Sequence, residues 1–151
     1  MNLLDILPRE AIKVPLAATD RHEAIDELIE LLAEHDHIRD PQKLKKVVWD
    51  REQQRSTGIG EGIAIPHGKS DCSDTLVLAI GRPREPIDFN SVDRKPVKLI
   101  FLLASPPEKT SDHIQALGKI SRIMVQAEFR EKAYAAEDAD TLYELIKSTE
   151  A

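Results

Sequence analysis

Histidine and arginine meet a concentration of glycine in one short stretch of this chain, REQQRSTGIGEGIAIPHGK, running from Arg51 to Lys69. A short apolar strand enters a sheet there and Pro66-His67-Gly68 should stop it, so an imidazole stands at a strand end between the residue type that most constrains the backbone and the one that most releases it. For a lone histidine, a surface turn is the ordinary explanation. Here Ser56 to Gly62 carries three of the chain's six glycines, which requires a loop able to visit positive φ or to bring its backbone close to something. A neutral imidazole can attack a phosphoryl group and hold it as a labile phosphoramidate. That chemistry needs charge compensation, close backbone approach and room for a donor and an acceptor. Arg51 or Arg55 could supply a planar fork of N–H donors, and the glycine loop could supply uncharged ones. Solvated helix decoration is the competing explanation for both arginines.

A second imidazole, His113, follows Ser111-Asp112 near the start of a helical pattern. Ile114 opens the apolar stripe there, so a partly exposed first-turn residue is about as good a reading as a functional one. A helix start attracts anions through unpaired N–H groups and the helix dipole, so His113 could hydrogen-bond a phosphoryl group carried by His67. Nucleotide binding fails on context. Gly58-Ile59-Gly60-Glu61-Gly62 lacks the final spacing of GxGxxG and follows a helix rather than a strand, and no GxxxxGK[ST] occurs. His22, His35 and His37 lack partners spaced for a metal, and the single cysteine, Cys72, sits in an acidic setting that opposes a thiolate. No cofactor or metal is expected.

Around these residues the pattern predicts the elements that would hold them. Ile12, Val14 and Leu16 alternate as in a strand, with Pro15 better suited to an edge. Ala24, Ile25, Leu28, Ile29 and Leu32 predict a helix over 21–36, begun by Asp20 and Glu23 as a capping box. Asp40-Pro41 opens a second, over roughly 41–54, with Leu44, Val47, Val48 and Arg51 on one face. Apolar runs at 63–65, 75–80 and 97–104 read as strands. The last, VKLIFLLA, is continuous enough to be covered on both faces and to mark the sheet centre. Beyond Pro107, Ile114, Leu117, Ile120, Ile123 and Met124 recur at helical spacing, and 129–135 and 141–147 read as two shorter helices. Helices flanking a small sheet make an α/β sandwich.

Composition excludes several classes. The 151 residues suit a single domain over 1–151, large enough to bury a core without disulfide or metal. A formal charge of −6 argues against a chain whose task is to coat nucleic acid or an anionic membrane. One cysteine suits a reducing compartment, and no stretch approaches a membrane span, so a cytoplasmic protein without membrane insertion is expected.

The stretch from Thr57 to Gly68, TGIGEGIAIPHG, resembles the phosphorylation-site motif of enzyme IIA domains of the fructose/mannitol class (type 2), from the bacterial phosphoenolpyruvate-dependent sugar phosphotransferase system. It is closest to the nitrogen-regulatory branch of that class. The resemblance extends over nearly the whole chain, through Pro86-Ile87-Asp88-Phe89, the strand VKLIFLLASP, and His113 with Ile114 and Leu117. It implies a phosphotransferase with a phosphohistidine intermediate: His67 would accept a phosphoryl group from an HPr-like carrier, on Nε2, and pass it on. Arg51 matches the family arginine that pairs with the phosphoryl group, Glu61 an acidic loop position, and His113 the second site histidine. Thr57, Gly60 and Gly68 belong to the motif as phosphoryl-site support. The family fold is a small mixed β-sheet flanked by α-helices on both faces. Gln53, Gln54 and Arg55 depart from the family pattern, and Arg55 competes with Arg51 for its role.

The acceptor stays open between a IIB-type transport component and regulatory targets such as kinases or transporters. A free-standing chain suits the nitrogen-regulatory type, and equally a separate IIA subunit for sugar uptake. A different class is a docking module whose phosphorylation is incidental, with Ile59, Ile63 and Ile65 as an apolar rim or as ordinary core. A zinc hydrolase built on His67 and His113 lacks a third ligand.

Overall fold

A computed structural model of the chain describes residues 1–150. The apolar run becomes β6 (Leu99–Ser105), buried at every position. Its side chains alternate between two cores, as the two-residue period of a strand dictates. Leu99, Phe101 and Leu103 point into one layer with Ile120, Ile123 and Leu142. Ile100, Leu102 and Ala104 point into the other with Ile25, Leu28 and Leu44. On one side β6 pairs antiparallel with β5 (Val77–Pro83), which pairs in parallel with β1 (Ile12–Leu16) at the sheet edge, where Pro15 is tolerated. On the other side, β3 (Ile63–Ala64) and β4 (His67–Lys69) dock in parallel on successive stretches of β6, and β2 (Gly58–Gly60) pairs antiparallel with β3. The six-stranded sheet is therefore mixed, and helices cover both faces.

Two local expectations are corrected here. The glycine-rich stretch is not wholly loop, because Gly58–Gly60 pairs with β3 as a short strand and only the tip, Gly60 to Gly62, turns through positive φ. Pro66 does not stop the chain's approach to the sheet. It lacks an N–H, but its carbonyl accepts the Leu103 N–H at 3.0 Å, and pairing resumes one residue later as β4.

The helices follow their caps and stripes. In α1 (Arg21–Glu34), Asp20 accepts the Glu23 N–H at 2.8 Å, and all five expected apolar residues are fully buried. It stops two residues short of the expected end, as Asp36 enters the left-handed region and the His37 N–H closes back on the Leu32 carbonyl at 2.9 Å. In α2 (Pro41–Gln54), Asp40 caps the Lys43 N–H. α3 (Thr110–Met124), α4 (Ala127–Ala135) and α5 (Ala139–Ser148) cover the opposite face. The stripe of α3 holds at Ile120, Ile123 and Met124, but its first turns differ from expectation: Ile114 is exposed and Leu117 only partly buried, and His113 and Ala116 take the buried face there. Among the described residues no helix is long and apolar enough to cross a membrane.

Candidate functional site

His67 is the first residue of β4, in register with Leu103, so its ring faces the α3 layer. The ring is partly buried, and its Nδ1 lies 2.7 Å from the carbonyl oxygen of Ile65. A carbonyl can only accept, so Nδ1 carries the proton and Nε2 keeps its lone pair. Burial is the main influence on this imidazole and disfavours its charged form, and the nearby Arg51 and Lys69 cations act in the same sense. The Ile65 carbonyl and Glu52 oppose them, and the net effect holds the group below its ordinary value. At neutral pH the ring is uncharged, with one nitrogen free of a proton.

His113, from the first turns of α3, stands against it. The ring centroids are 5.3 Å apart and the planes meet at 65°. His113 is buried, with Nδ1 2.6 Å from the Ser105 hydroxyl at the end of β6. Burial, reinforced by His67 and Lys69, lowers its pKa to about 4. Both imidazoles are therefore neutral, which removes the repulsion that two charged rings at this distance would suffer.

The cationic side of the site comes from the C-terminal end of α2. Arg51, Arg55, Thr57, Gly58, Ile65 and His67 line one cavity of about 300 Å³, with Val92 and Leu117 across from them. An Arg51 Nη donates to the Arg55 carbonyl at 2.9 Å, which ties the guanidinium to the chain as it leaves the helix. One residue further on, Glu52 is only 1% exposed. Its carboxylate accepts the Thr57 N–H at 2.8 Å and the Thr57 hydroxyl at 2.6 Å. This buried carboxylate anchors the start of the glycine stretch to the helix that carries Arg51. Glu52 was not singled out above, although it continues the i, i+4 stripe of Leu44 and Val48, a position where a carboxylate signals a buried partner. Ser105 was also missed; a polar residue closing an otherwise apolar strand was its only trace.

The remaining motif residues lie elsewhere around this centre. Glu61 sits at the hairpin tip with φ of 57°, its N–H donating to Asp93 at 2.9 Å and its carbonyl accepting the Tyr134 hydroxyl. Its carboxylate is 3.8 Å from Arg130, and it lines cavities toward α4 rather than the one around His67. Gly60 lines one of those same cavities. Gly68 faces α2, where a Cβ would lie 2.9 Å from Val47 Cγ1 and 3.0 Å from Val48 Cγ2. Its bare backbone is what lets the helix bearing Arg51 settle against the strand bearing His67. Of the proposed apolar rim, Ile63 and Ile65 are core and Ile59 is exposed.

Outside the site, His22 stacks on Trp49 at 3.9 Å and His37 Nε2 is 2.6 Å from Glu10. Cys72 is buried, which pushes its thiol up and away from reactivity. Among the described residues no three His, Cys, Asp or Glu side chains converge as a metal site would require.

An uncharged imidazole with one available nitrogen, a second neutral imidazole beside it, and two guanidinium groups around a small open cavity suit an incoming tetrahedral dianion. Comparison with known proteins gives the family. Residues 5–149 match the family model described as phosphoenolpyruvate-dependent sugar phosphotransferase system, EIIA 2. The chain is 32% identical over 146 residues to the fructose-specific EIIABC component of Bacillus subtilis, covering 97% of this chain but only 23% of that much longer protein. It is 33% identical over 146 residues to a nitrogen regulatory protein of Bradyrhizobium diazoefficiens, covering 97% and 95% of the two chains. The crystal structure of the nitrogen regulatory protein IIA-Ntr from Neisseria meningitidis superposes with a TM-score of 0.86 at 30% identity, over 94% of this chain and 97% of that one.

Proposed function

The chain belongs to the EIIA type 2 family of the phosphoenolpyruvate-dependent sugar phosphotransferase system, and we propose that it is a phosphocarrier whose acceptor atom is His67 Nε2. The observation that carries this reading is the 2.7 Å hydrogen bond from His67 Nδ1–H to the Ile65 carbonyl, which leaves Nε2 as the sole nucleophilic nitrogen of the ring. In the transfer, the N–P bond of a phosphohistidine on an HPr-like donor breaks as the Nε2 lone pair forms the new one. Positive charge that develops on the ring is shared through Nδ1–H with Ile65. Arg51 compensates the phosphoryl oxygens, and His113 acts as a donor.

Incubation with phosphoenolpyruvate, enzyme I and an HPr-type carrier tests this directly. The expected product is an acid-labile, alkali-stable adduct of one phosphoryl group, absent in His67→Ala. Uptake by that variant at the wild-type rate overturns the assignment.

The nitrogen-regulatory version, in which phosphorylated and unphosphorylated forms bind different cytoplasmic targets such as kinases or transporters, is supported by full-length likeness to regulatory proteins. A second reading, a IIA subunit handing the group to a IIB-type acceptor for sugar uptake, is supported by equal likeness to a fructose-specific component. Chase of the labelled protein with IIB separates them: rapid loss of label to IIB favours uptake. Partner sets that differ between the wild type and His67→Asp favour regulation.

A further inference from the structure

We propose that Ser105 is a positioning residue that holds His113 in the tautomer with its proton on Nε2, so that His113 presents an N–H donor to a phosphoryl group on His67. The proposal rests on the reading of His67 as the phosphoryl acceptor.

Unlike the carbonyl beside His67, a hydroxyl can donate or accept, so the 2.6 Å contact between Ser105 Oγ and His113 Nδ1 does not by itself say which atom holds the hydrogen. Satisfaction of buried groups decides it. Ser105 is fully buried, and His113 Nδ1 is its only hydroxyl partner among the described residues. A proton on Nδ1 would leave the serine O–H without an acceptor in the interior, which folded proteins avoid. With the serine donating, both groups are satisfied and the imidazole proton moves to Nε2.

The hydroxyl is held firmly enough to impose this choice. Ser105 is paired with Lys69 on β4, and its carbonyl accepts the Ser70 N–H at 2.8 Å. The strand that carries His67 thus also fixes Ser105, two residues on in register from the Leu103 that faces His67. A single strand pair sets the separation of the nucleophile from the group that orients its neighbour.

Ring nitrogen spectra of the full chain labelled with 15N-histidine, at pH 7.5, read the tautomers, and label uptake from a phosphorylated HPr-type carrier reads the consequence. In the wild type, His113 is expected to show an acceptor-type Nδ1 and a protonated Nε2. Ser105→Ala should give a mixture of tautomers at His113, leave the Nδ1–H form of His67 unchanged, and slow phosphorylation by about tenfold. Ser105→Thr, which keeps the hydroxyl, should restore both. A protonated Nδ1 on wild-type His113, an unchanged His113 signal in Ser105→Ala, or a tautomer shift with an unchanged transfer rate each overturns the proposal. Loss of uptake in every form, the wild type included, would instead strike at the phosphoryl-acceptor reading, while the spectra would still decide the tautomer.

Discussion

His67 and His113 are chemically the same side chain, but their Nδ1 atoms meet different partners, a backbone carbonyl and a serine hydroxyl. Arg51 and Arg55 are separated in a similar way: Arg51 is half-buried and tied to a backbone carbonyl, whereas Arg55 is exposed. Arg51→Gln is expected to slow phosphoryl uptake by about a hundredfold and Arg55→Gln by less than tenfold, measured as initial rates from a phosphorylated carrier. His113 also links the site to acid stability. Its folded-state pKa of about 4 lies below the ordinary 6.5, so between these values the unfolded chain binds more protons. Stability should therefore fall as pH drops below about 6.5, with the His113 contribution fully lost near 4, an effect of up to roughly 3 kcal/mol. Urea titrations across this range should show a flatter dependence in His113→Asn. His67 and Arg51 were legible in the sequence because a short local motif carries them. Ser105 was not, because its contact with His113 joins a strand end to a helix, which no local pattern encodes.

Elements were legible where their signals are local. The caps Asp20 and Asp40 and the five-residue stripe of α1 are written in consecutive residues, and those helices form as read. β2 and β4 were obscured because each has only three residues, and their existence depends on distant partners. The change at the start of the α3 stripe has a physical cause: a histidine hydrogen-bonded to a buried serine can occupy a core position that hydropathy assigns to its isoleucine neighbour. The seam between α2 and β4 is closely packed at Gly68. Gly68→Ala should destabilise the protein by about 1–3 kcal/mol, because the added methyl meets Val47, Val48 and the helix backbone. The same variant should transfer more slowly, since relief of the clash moves the helix that bears Arg51. Unchanged stability by denaturant titration would mean that the helix yields freely.

At the scale of the whole molecule, the net charge is −6, yet Arg51, Arg55 and Lys69 gather around one imidazole. A phosphoryl group would add about −1.5 to −2 there, a large local change on a surface whose rim is apolar. Ile59 and Val92, 47% and 76% exposed, stand at that rim. Ile59→Glu and Val92→Glu should each raise the apparent KM for the phosphorylated carrier by about tenfold, and thermal melting should be unmoved because neither residue is core. The mixed sheet divides the interior into two cores, and the site draws on both: Arg51 and Glu52 come from the helix layer on one face, His113 from the layer on the other. Reworking one slab alone would shift its half of the reactive geometry against the other. Variation that preserves the geometry of the cleft is then expected to come as matched changes on both sides of the sheet.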